Sequence, residues 1–549
     1  MNNGGIESID ALSKDSQSPP LPKPQIRMQH QFLIFVLWLC FLIRGVFYCS
    51  VLPLWDGFDE WAHFAVADYM SATRNALVDR DMRVSKEINL SLQLVPLPRG
   101  MTAIIPPGVR REVYWGLPAA ERERRERAMR ELPVEWARES AEGGMPAYEA
   151  SQPPLYYWIL AVILAPLRNV SLLDRVWLAR IASFIIGSFV IPFGFFLCRK
   201  FFQSEETAIG VTALIVVMPE LSINLARVSN ESLSITLYTA LMLAVSQWIE
   251  QPDYLYKSTM IGGLLGLGLL TKAYFITALP ALCLLFLWLY QNQQRDRTSI
   301  LRCATTTLII SLALAGWWYV RNILQTGTIS GLDEALMTRG VGVAKKLNGV
   351  IHVRWINAIA SILLSHIWYG GWSLLALHRW IYYLGFIFVL GGLLGLLKAH
   401  NTLREPKRFS LFSFYAWFWL GQAYQILMLF LSKSSSTAMG GWYLYSVVGA
   451  EVILGIMGIF VLVPIRLHAT VLTFLIFCVA ALDLYAVHFI SIPYYAHANS
   501  FLDVHIAPLL INIPSLLTGN ILIFLWIAFL GSTALTVITG TCILHRRRR

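Results

Sequence analysis

The chain has 549 residues, 56% of them hydrophobic and only 14% charged, with a formal net charge of +11. A charged share this far below the roughly one quarter of ordinary soluble domains excludes a water-soluble globular enzyme. Basic loops held on one side of a membrane account for the positive charge, so no nucleic acid or other polyanion partner is implied.

Residues 1–28 are rich in Ser, Pro and Lys and read as a disordered cytoplasmic tail. Residues 29–52 form a first transmembrane helix, too long for a removable signal peptide, and 53–175 a large external loop carrying juxtamembrane helices. Residues 176–549 form a multi-span region with an external loop at 322–379 and a basic cytoplasmic C-terminus. The spans are expected near 32–52, 176–199, 206–222, 231–249, 258–271, 273–290, 301–320, 380–398, 410–431, 442–465, 468–490 and 518–543. Two further apolar stretches, 153–167 and 352–377, read as interfacial or re-entrant helices. With both left uncrossed, CRK at 198–200, RDR at 295–297, REPKR at 404–408 and the terminal HRRRR all fall on the side of the tail, as the positive-inside rule requires. The expected fold is therefore an all-α polytopic membrane protein with about twelve transmembrane helices, both termini cytoplasmic, in the plasma or inner membrane.

The seven cysteines lie within or at the ends of apolar runs and support neither a disulfide framework nor a CxxC metal site. In the first loop, PAAERERRERAMRELPVEWARES reads as a polar helix, either simply solvated or acting as a lid or acceptor-docking element. Gly262 and Gly266 in GGLLGLGLLTK lack P-loop spacing and suit close helix packing.

After the first span, LPLWDGFDEWAHF places Asp59 and Glu60 as adjacent carboxylates at the opening of a helix on the outer surface. These fit N-capping as well as chemistry. Asp59 and His63 share one helical face and would together offer two ligands to a divalent cation. Arg227, Lys272 and Arg321 sit at the external ends of apolar runs, against the charge bias; they read as snorkelling anchors or, together, as an anion site for phosphate. Tyr156, Tyr157 and Trp158, with the clusters at 317–319, 368–372 and 442–445, fit an interfacial belt or a cavity for sugar or prenyl groups. Arg44, Glu220, Glu451, Asp483 and His488 lie inside or near apolar runs and need partners.

In order, FDEWAHF, EASQPPLYYWIL, RVSNESLSITLY, LTKAYFITALPAL, GWWYVRNILQTG and GGWYLYSVVGAE resemble the integral-membrane C-type glycosyltransferases, especially family 39 relatives of protein O-mannosyltransferases and lipid A aminoarabinose transferases. The resemblance covers residues 32 to 465. It implies sugar transfer from a polyprenyl-phosphate carrier to an acceptor lipid, glycan or protein on the external face, with inversion. It further implies Asp59 as general base, Glu60 orienting the acceptor or a metal, and Gln152 with the PPLYYW segment walling the site. Arg321, with Lys272, would hold the carrier phosphate; His63, Tyr156 and Arg227 complete the expected substrate-binding set. The chain departs from the family pattern at GGWYLYS, where Trp442 and Ser446 stand in place of Arg and Pro. The absence of a dinucleotide fingerprint agrees with a lipid-linked donor. The competing readings are a transporter or flippase, with charges converging at the bilayer midplane, and a polymerase or ligase of polyprenyl-linked glycans.

Overall fold

The computed structural model describes residues 24–101, 104–252, 255–433, 440–511, 514–515 and 517–545. The chain is an all-α polytopic membrane protein. Among the described residues the β structure is two isolated bridges and one two-residue parallel pairing, Pro96–Leu97 with Val109–Arg110. Most of the tail, residues 1–23, lies outside the described part, as do Arg546 to Arg549 of the terminal basic run. The tail boundary at 28 is corrected: the chain is already helical from Pro24, as the start of α1 (Pro24–Val51).

The loop after α1 contributes α2 (Glu60–Thr73), α3 (Lys86–Leu94), α4 (Ala119–Arg130) and α5 (Leu155–Leu164). Helix α4 is more than a solvated face. Arg125 is buried because its guanidinium donates to Glu121 Oε1 (2.7 Å), the Gln93 carbonyl (2.8 Å) and the Pro107 carbonyl (2.9 Å), which satisfies the charge and fastens the helix to the loop.

The membrane part comprises α6 (Leu172–Ser188, running on through Val190–Cys198), α7 (Glu205–Val216), α8 (Pro219–Leu225), α9 (Glu231–Glu250), α10 (Leu255–Leu269), α11 (Ala278–Gln291) and α12 (Arg297–Thr326). It continues with α13 (Val343–His352), α14 (Trp355–Ile367), α15 (Arg379–Lys398), α16 (Pro406–Lys433), α17 (Val448–Leu462), α18 (His468–Tyr485) and α19 (Gly519–His545). By length and composition, 10 of the described helical segments can cross a bilayer.

Side-chain ties show which of the remaining segments run between the two ends of the bundle. Helices α7 and α8, bent by 62° at Pro219, start at the end where Glu205 meets Arg199 and finish where Arg227 meets Phe58. Helix α10 has only 15 residues, about 22 Å at 1.5 Å per residue. It nonetheless runs alongside most of α9: Lys257 donates to the Gln247 carbonyl at one end, while Lys272 reaches Asn230 at the other. In contrast, α13 and α14, bent by 70°, leave and return to the same end. Thr338, just before α13, bonds Met428 near the end of α16, and Trp372, just after α14, bonds Asp56 beyond the end of α1. This bent pair is therefore a surface or re-entrant element, and among the described residues twelve segments connect the two ends.

The basic clusters gather at the end opposite Asp59. Lys200 and Lys407 share Glu250, Arg295 reaches the Ile249 carbonyl, and Leu544 packs at Gly210 near the start of α7. His30 of α1 pairs with Glu205 there, so both ends of the described chain lie on that face.

Small residues set the closest helix contacts. A Cβ on Gly262 would lie 3.0 Å from the Thr307 Cα, and one on Gly266 would lie 2.9 Å from the Leu314 Cβ, so α10 and α12 meet through these glycines. Between α15 and α17, a Cβ on Gly395 would overlap the Gly458 carbonyl. Within the spans, Arg44 donates to Asp483 (2.7 Å), which also accepts from Tyr48, closing α1 onto α18. Glu220 accepts from the Tyr369 and Gly370 N–H groups (2.8 and 3.2 Å), Glu451 meets His366 at 2.8 Å, and His488 accepts from Trp526 (2.8 Å). Each embedded ionisable residue thus has a partner, as its desolvation demands.

Candidate functional site

The site is built on the turn between α1 and α2. Trp55 (φ 63°) and Asp59 (φ 56°) both take left-handed backbone conformations, unusual for residues with a Cβ. Gly57 lets the turn lie against Arg227, whose Cβ would be 2.6 Å from a Cβ placed there. Asp59 occupies the N-cap position of α2, and its carbonyl accepts from Ala62 and His63 N–H (both 3.0 Å), but its side chain does not cap. The left-handed backbone turns the carboxylate away from the helix, and Oδ1 accepts from the Tyr148 hydroxyl at 2.5 Å.

Three contacts hold this turn. Arg180 of α6 donates to both oxygens of Glu60 at 2.6 Å and to the Leu52 and Pro53 carbonyls, clamping the end of α1 to the start of α2. Trp372 N–H and Ser373 Oγ bond the Asp56 carbonyl and carboxylate at 2.8 and 2.6 Å. Phe58 stacks on Trp442 with ring centroids 3.7 Å apart. Trp442, at the position where Arg was expected, thus serves packing.

Glu60 is buried, with both oxygens committed to Arg180 and one also accepting from Val228 N–H (3.2 Å). In this arrangement Glu60 acts as a strut, where an acceptor- or metal-orienting group was expected. Tyr156, expected in the binding set, has its hydroxyl buried against Ser183 (2.7 Å). Its neighbour Tyr157 faces the site, bonding His63 Nδ1 at 2.8 Å. One residue along a helix is a rotation of about 100°, enough to exchange the two tyrosines' surroundings.

His63 is buried with Nδ1 on Tyr157 and 3.6 Å from Glu149, and Nε2 3.5 Å from Ser229 Oγ. Burial holds its imidazole well below the usual value, so it is neutral. With both nitrogens so engaged, Asp59 and His63 do not fit the pair of ligands expected for a divalent cation. Among the described residues no group of three His, Cys, Asp or Glu side chains converges to hold a metal. Gln152 lies beside Glu149, its N–H donating to the Glu149 carbonyl (3.0 Å) and its Oε1 buried without a partner.

The structure brings Arg227 and Lys272 together, but around a carboxylate that the sequence reading did not single out. Glu231, at the start of α9, lies 3.3 Å from Arg227 on one oxygen and bonds Lys272 with the other. Lys272 also donates to Asn230 (2.9 Å) and sits over the rings of Tyr443 and Tyr274, at 5.2 and 5.5 Å. Arg227 donates to the Phe58 carbonyl and to Asn224, which ties the cation cluster to the Asp59 turn.

Two carboxyls outside the spans are set apart by their surroundings. Burial raises the Asp59 carboxyl, opposed by the Tyr148 hydrogen bond and by the charge of Arg227. Burial, reinforced by the negative charge of Asp59, pushes Glu149 up to about 8, so near neutral pH it holds a proton. Its Oε2 is buried and unbonded. Asp59, Glu231, Arg227 and Lys272 thus gather groups of opposite sign in one buried cluster.

Arg321 lies on the same face, but none of its contacts joins it to Asp59. Tyr319, two residues earlier, bonds the Leu269 carbonyl (2.9 Å) just before Lys272, and Trp317 stacks on Trp158 of α5. The half-buried Arg321 guanidinium sits 5.0 Å from the Trp318 ring centroid and makes no hydrogen bond or ion pair among the described residues. A separate apolar cavity of about 740 Å³ between α18 and α19 is lined by Leu484, Tyr485, His488, Phe489, Trp526 and Leu530, none of which belongs to this cluster.

No family model and no curated protein matches the chain. Two solved structures of ArnT from Cupriavidus metallidurans are similar to it. The apo structure shares 14% identity and a TM-score of 0.44, covering 92% of this chain and 77% of that one. The structure bound to undecaprenyl phosphate shares 13% identity and a TM-score of 0.45, covering 93% and 77%. At these values neither likeness carries a residue role or an activity to this chain.

Proposed function

We propose that the protein transfers a sugar from a polyprenyl-phosphate carrier to a hydroxyl or amine acceptor at the membrane face that carries Asp59, with inversion at the anomeric carbon. The observation that carries this reading is the Asp59 carboxylate itself: turned off the helix it heads, fixed by Tyr148 and made more basic by burial. Asp59 takes the acceptor proton as the acceptor attacks C1 of the sugar, and the bond from C1 to the carrier phosphate breaks. The phosphate departs as an anion, so it requires a cation and no general acid. Arg321 supplies that charge most directly, because Lys272 and Arg227 are both already engaged by Glu231. No step runs through a metal.

The charged cluster gathers at one end of the bundle, and the Arg44–Asp483 pair between the ends is closed on itself, which supports a surface reaction over carriage across the bilayer. The positive-inside rule supports assigning the basic end to the cytoplasm and the Asp59 face to the outside. The test is the purified chain in liposomes with radiolabelled polyprenyl-phosphate sugars and candidate lipid, glycan and peptide acceptors. The expected result is label in the acceptor with inverted anomeric configuration. Retention of configuration would remove Asp59 as a simple base, and substrate crossing the bilayer intact would establish the transporter instead.

A further inference from the structure

The segment between α12 and α15 carries a feature that sugar transfer does not use. Between Glu334 and Glu405 the chain contains no Asp or Glu, while Arg339, Lys345, Lys346 and Arg354 fall on or beside α13. Arg339 donates to the Thr326 carbonyl (2.9 Å). Lys345, Lys346 and Arg354 make no ion pair or side-chain hydrogen bond among the described residues, and Lys345 and Arg354 are exposed. The carboxylates that precede them in the chain are already engaged, Glu334 by Lys433 and Asp333 by Arg80.

Helix α13 is also strongly amphipathic, and its apolar side is turned outward. Val343, Leu347 and Ile351, spaced at i, i+4 and i+8 along one face, are 73%, 63% and 80% exposed. The opposite side rests on the bundle through buried Gly349, where a Cβ would meet Leu427 and Leu431 of α16 at about 3 Å. The 70° bend into α14 continues the outward apolar surface with Ile356, 84% exposed. Such a stripe facing water would be costly; facing hydrocarbon, with cations on the other sides of the helix and at its bend, it has the pattern of a helix lying in a membrane interface. Because α13 and α14 return to the end they leave, this interface is on the Asp59 face.

We propose that α13 is seated in the headgroup region of the bilayer on the Asp59 face, and that Lys345, Lys346 and Arg354 bind anionic phospholipid headgroups there. The uncompensated cluster of three cations beside an outward apolar stripe commits the surface to an anionic lipid over a protein partner. This does not rest on the proposed enzymatic activity.

The test uses full-length protein in nanodiscs of phosphatidylcholine, with or without phosphatidylglycerol. Spin labels are placed by Leu347→Cys or Asn348→Cys in a background where Cys283, Cys478 and Cys542, the cysteines not buried, are Ser. The Leu347 label is expected to collide with oxygen and to be shielded from a water-soluble nickel chelate, while the Asn348 label remains open to the chelate. Wild-type protein should retain phosphatidylglycerol on mild extraction, with about a fivefold loss for each cation removed in K345Q, K346Q and R354Q. Nickel access at Leu347 in both discs, shielding at both positions, or equal phosphatidylglycerol retention by wild type and the triple variant would each overturn the proposal. So would inorganic phosphate displacing the retained lipid at low concentration, which would mark a phosphate site in place of a lipid surface. Unchanged thermal midpoints of the variants confirm that loss of retention is not loss of fold.

Discussion

Asp59→Asn separates chemistry from architecture at this site. Asn tolerates the left-handed backbone that Asp59 adopts at φ 56°, and its amide oxygen can still accept the Tyr148 hydroxyl that now lies 2.5 Å from Oδ1. The substitution therefore removes the proton acceptor and little else. A positioned general base is worth ~10²–10⁴ in rate, or roughly 3–5 kcal/mol of barrier at 1.36 kcal/mol per decade. Turnover should fall by that factor, while donor binding and the thermal midpoint stay near wild type. Asp59→Ala is the contrast: it places a Cβ without a polar tip in the left-handed region, at roughly 1–2 kcal/mol, and strands the Tyr148 hydroxyl, at about 1–3 kcal/mol. That variant should lose stability as well as activity. The assay is single-turnover transfer from a radiolabelled polyprenyl-phosphate sugar by protein in liposomes, with donor binding measured separately. Near-normal transfer by Asp59→Asn, or loss of transfer only in step with loss of fold, would refute Asp59 as the base.

Glu60→Ala should destabilise the protein by about 3–5 kcal/mol, because it leaves the buried Arg180 without its carboxylate; a variant that folds normally and fails only in catalysis would restore Glu60 to the reactive groups. For Arg321→Ala, donor binding should weaken about 10–100-fold, the value of one hydrogen bond to a charged group, with the thermal midpoint unchanged. A change in stability alone would make Arg321 a membrane anchor. Glu149 releases its proton near pH 8 in the folded protein, against an ordinary 4.5. The folded state thus binds that proton more tightly, and the resulting stabilisation is complete below about pH 4.5 and is lost as pH rises to about 8, at up to about 1.4 kcal/mol per unit. Thermal midpoints measured across that range should decline more steeply for wild type than for Glu149→Gln, and parallel curves would show that folding leaves the Glu149 carboxyl at its ordinary value.

The spans were legible because each apolar run carries its own length and its own basic flank, and Gly262 and Gly266 were legible because their four-residue spacing marks one helix face. Asp59 stood out as an acid immediately beyond a span. The rest of the site depends on contacts between distant segments. Glu231 reads as an ordinary acid in a helix's first turn until Arg227 and Lys272 are seen to close on it, and Lys272 is 41 residues away. Arg180 sits in an apolar run and shows no sign of its grip on Glu60, 120 residues earlier. Glu149 lies inside a quoted motif, EASQPPLYYW, yet only the fold reveals that it is buried next to Asp59. The boundary of the short α10 was also hard to place, since its length falls below that of an ordinary span and its crossing is fixed by ties to α9.

The turn bearing Asp59 is synthesised long before the residues that finish it. Its clamp needs Arg180, its floor needs Arg227, its carbonyl needs Trp372 and its aromatic roof needs Trp442, so the left-handed geometry at Trp55 and Asp59 has nothing to enforce it until more than 380 further residues have been synthesised and inserted. A nascent chain can therefore hold the Asp59 carboxylate and still lack a reactive one, which delays the chemistry until the chain through Trp442 has been packed.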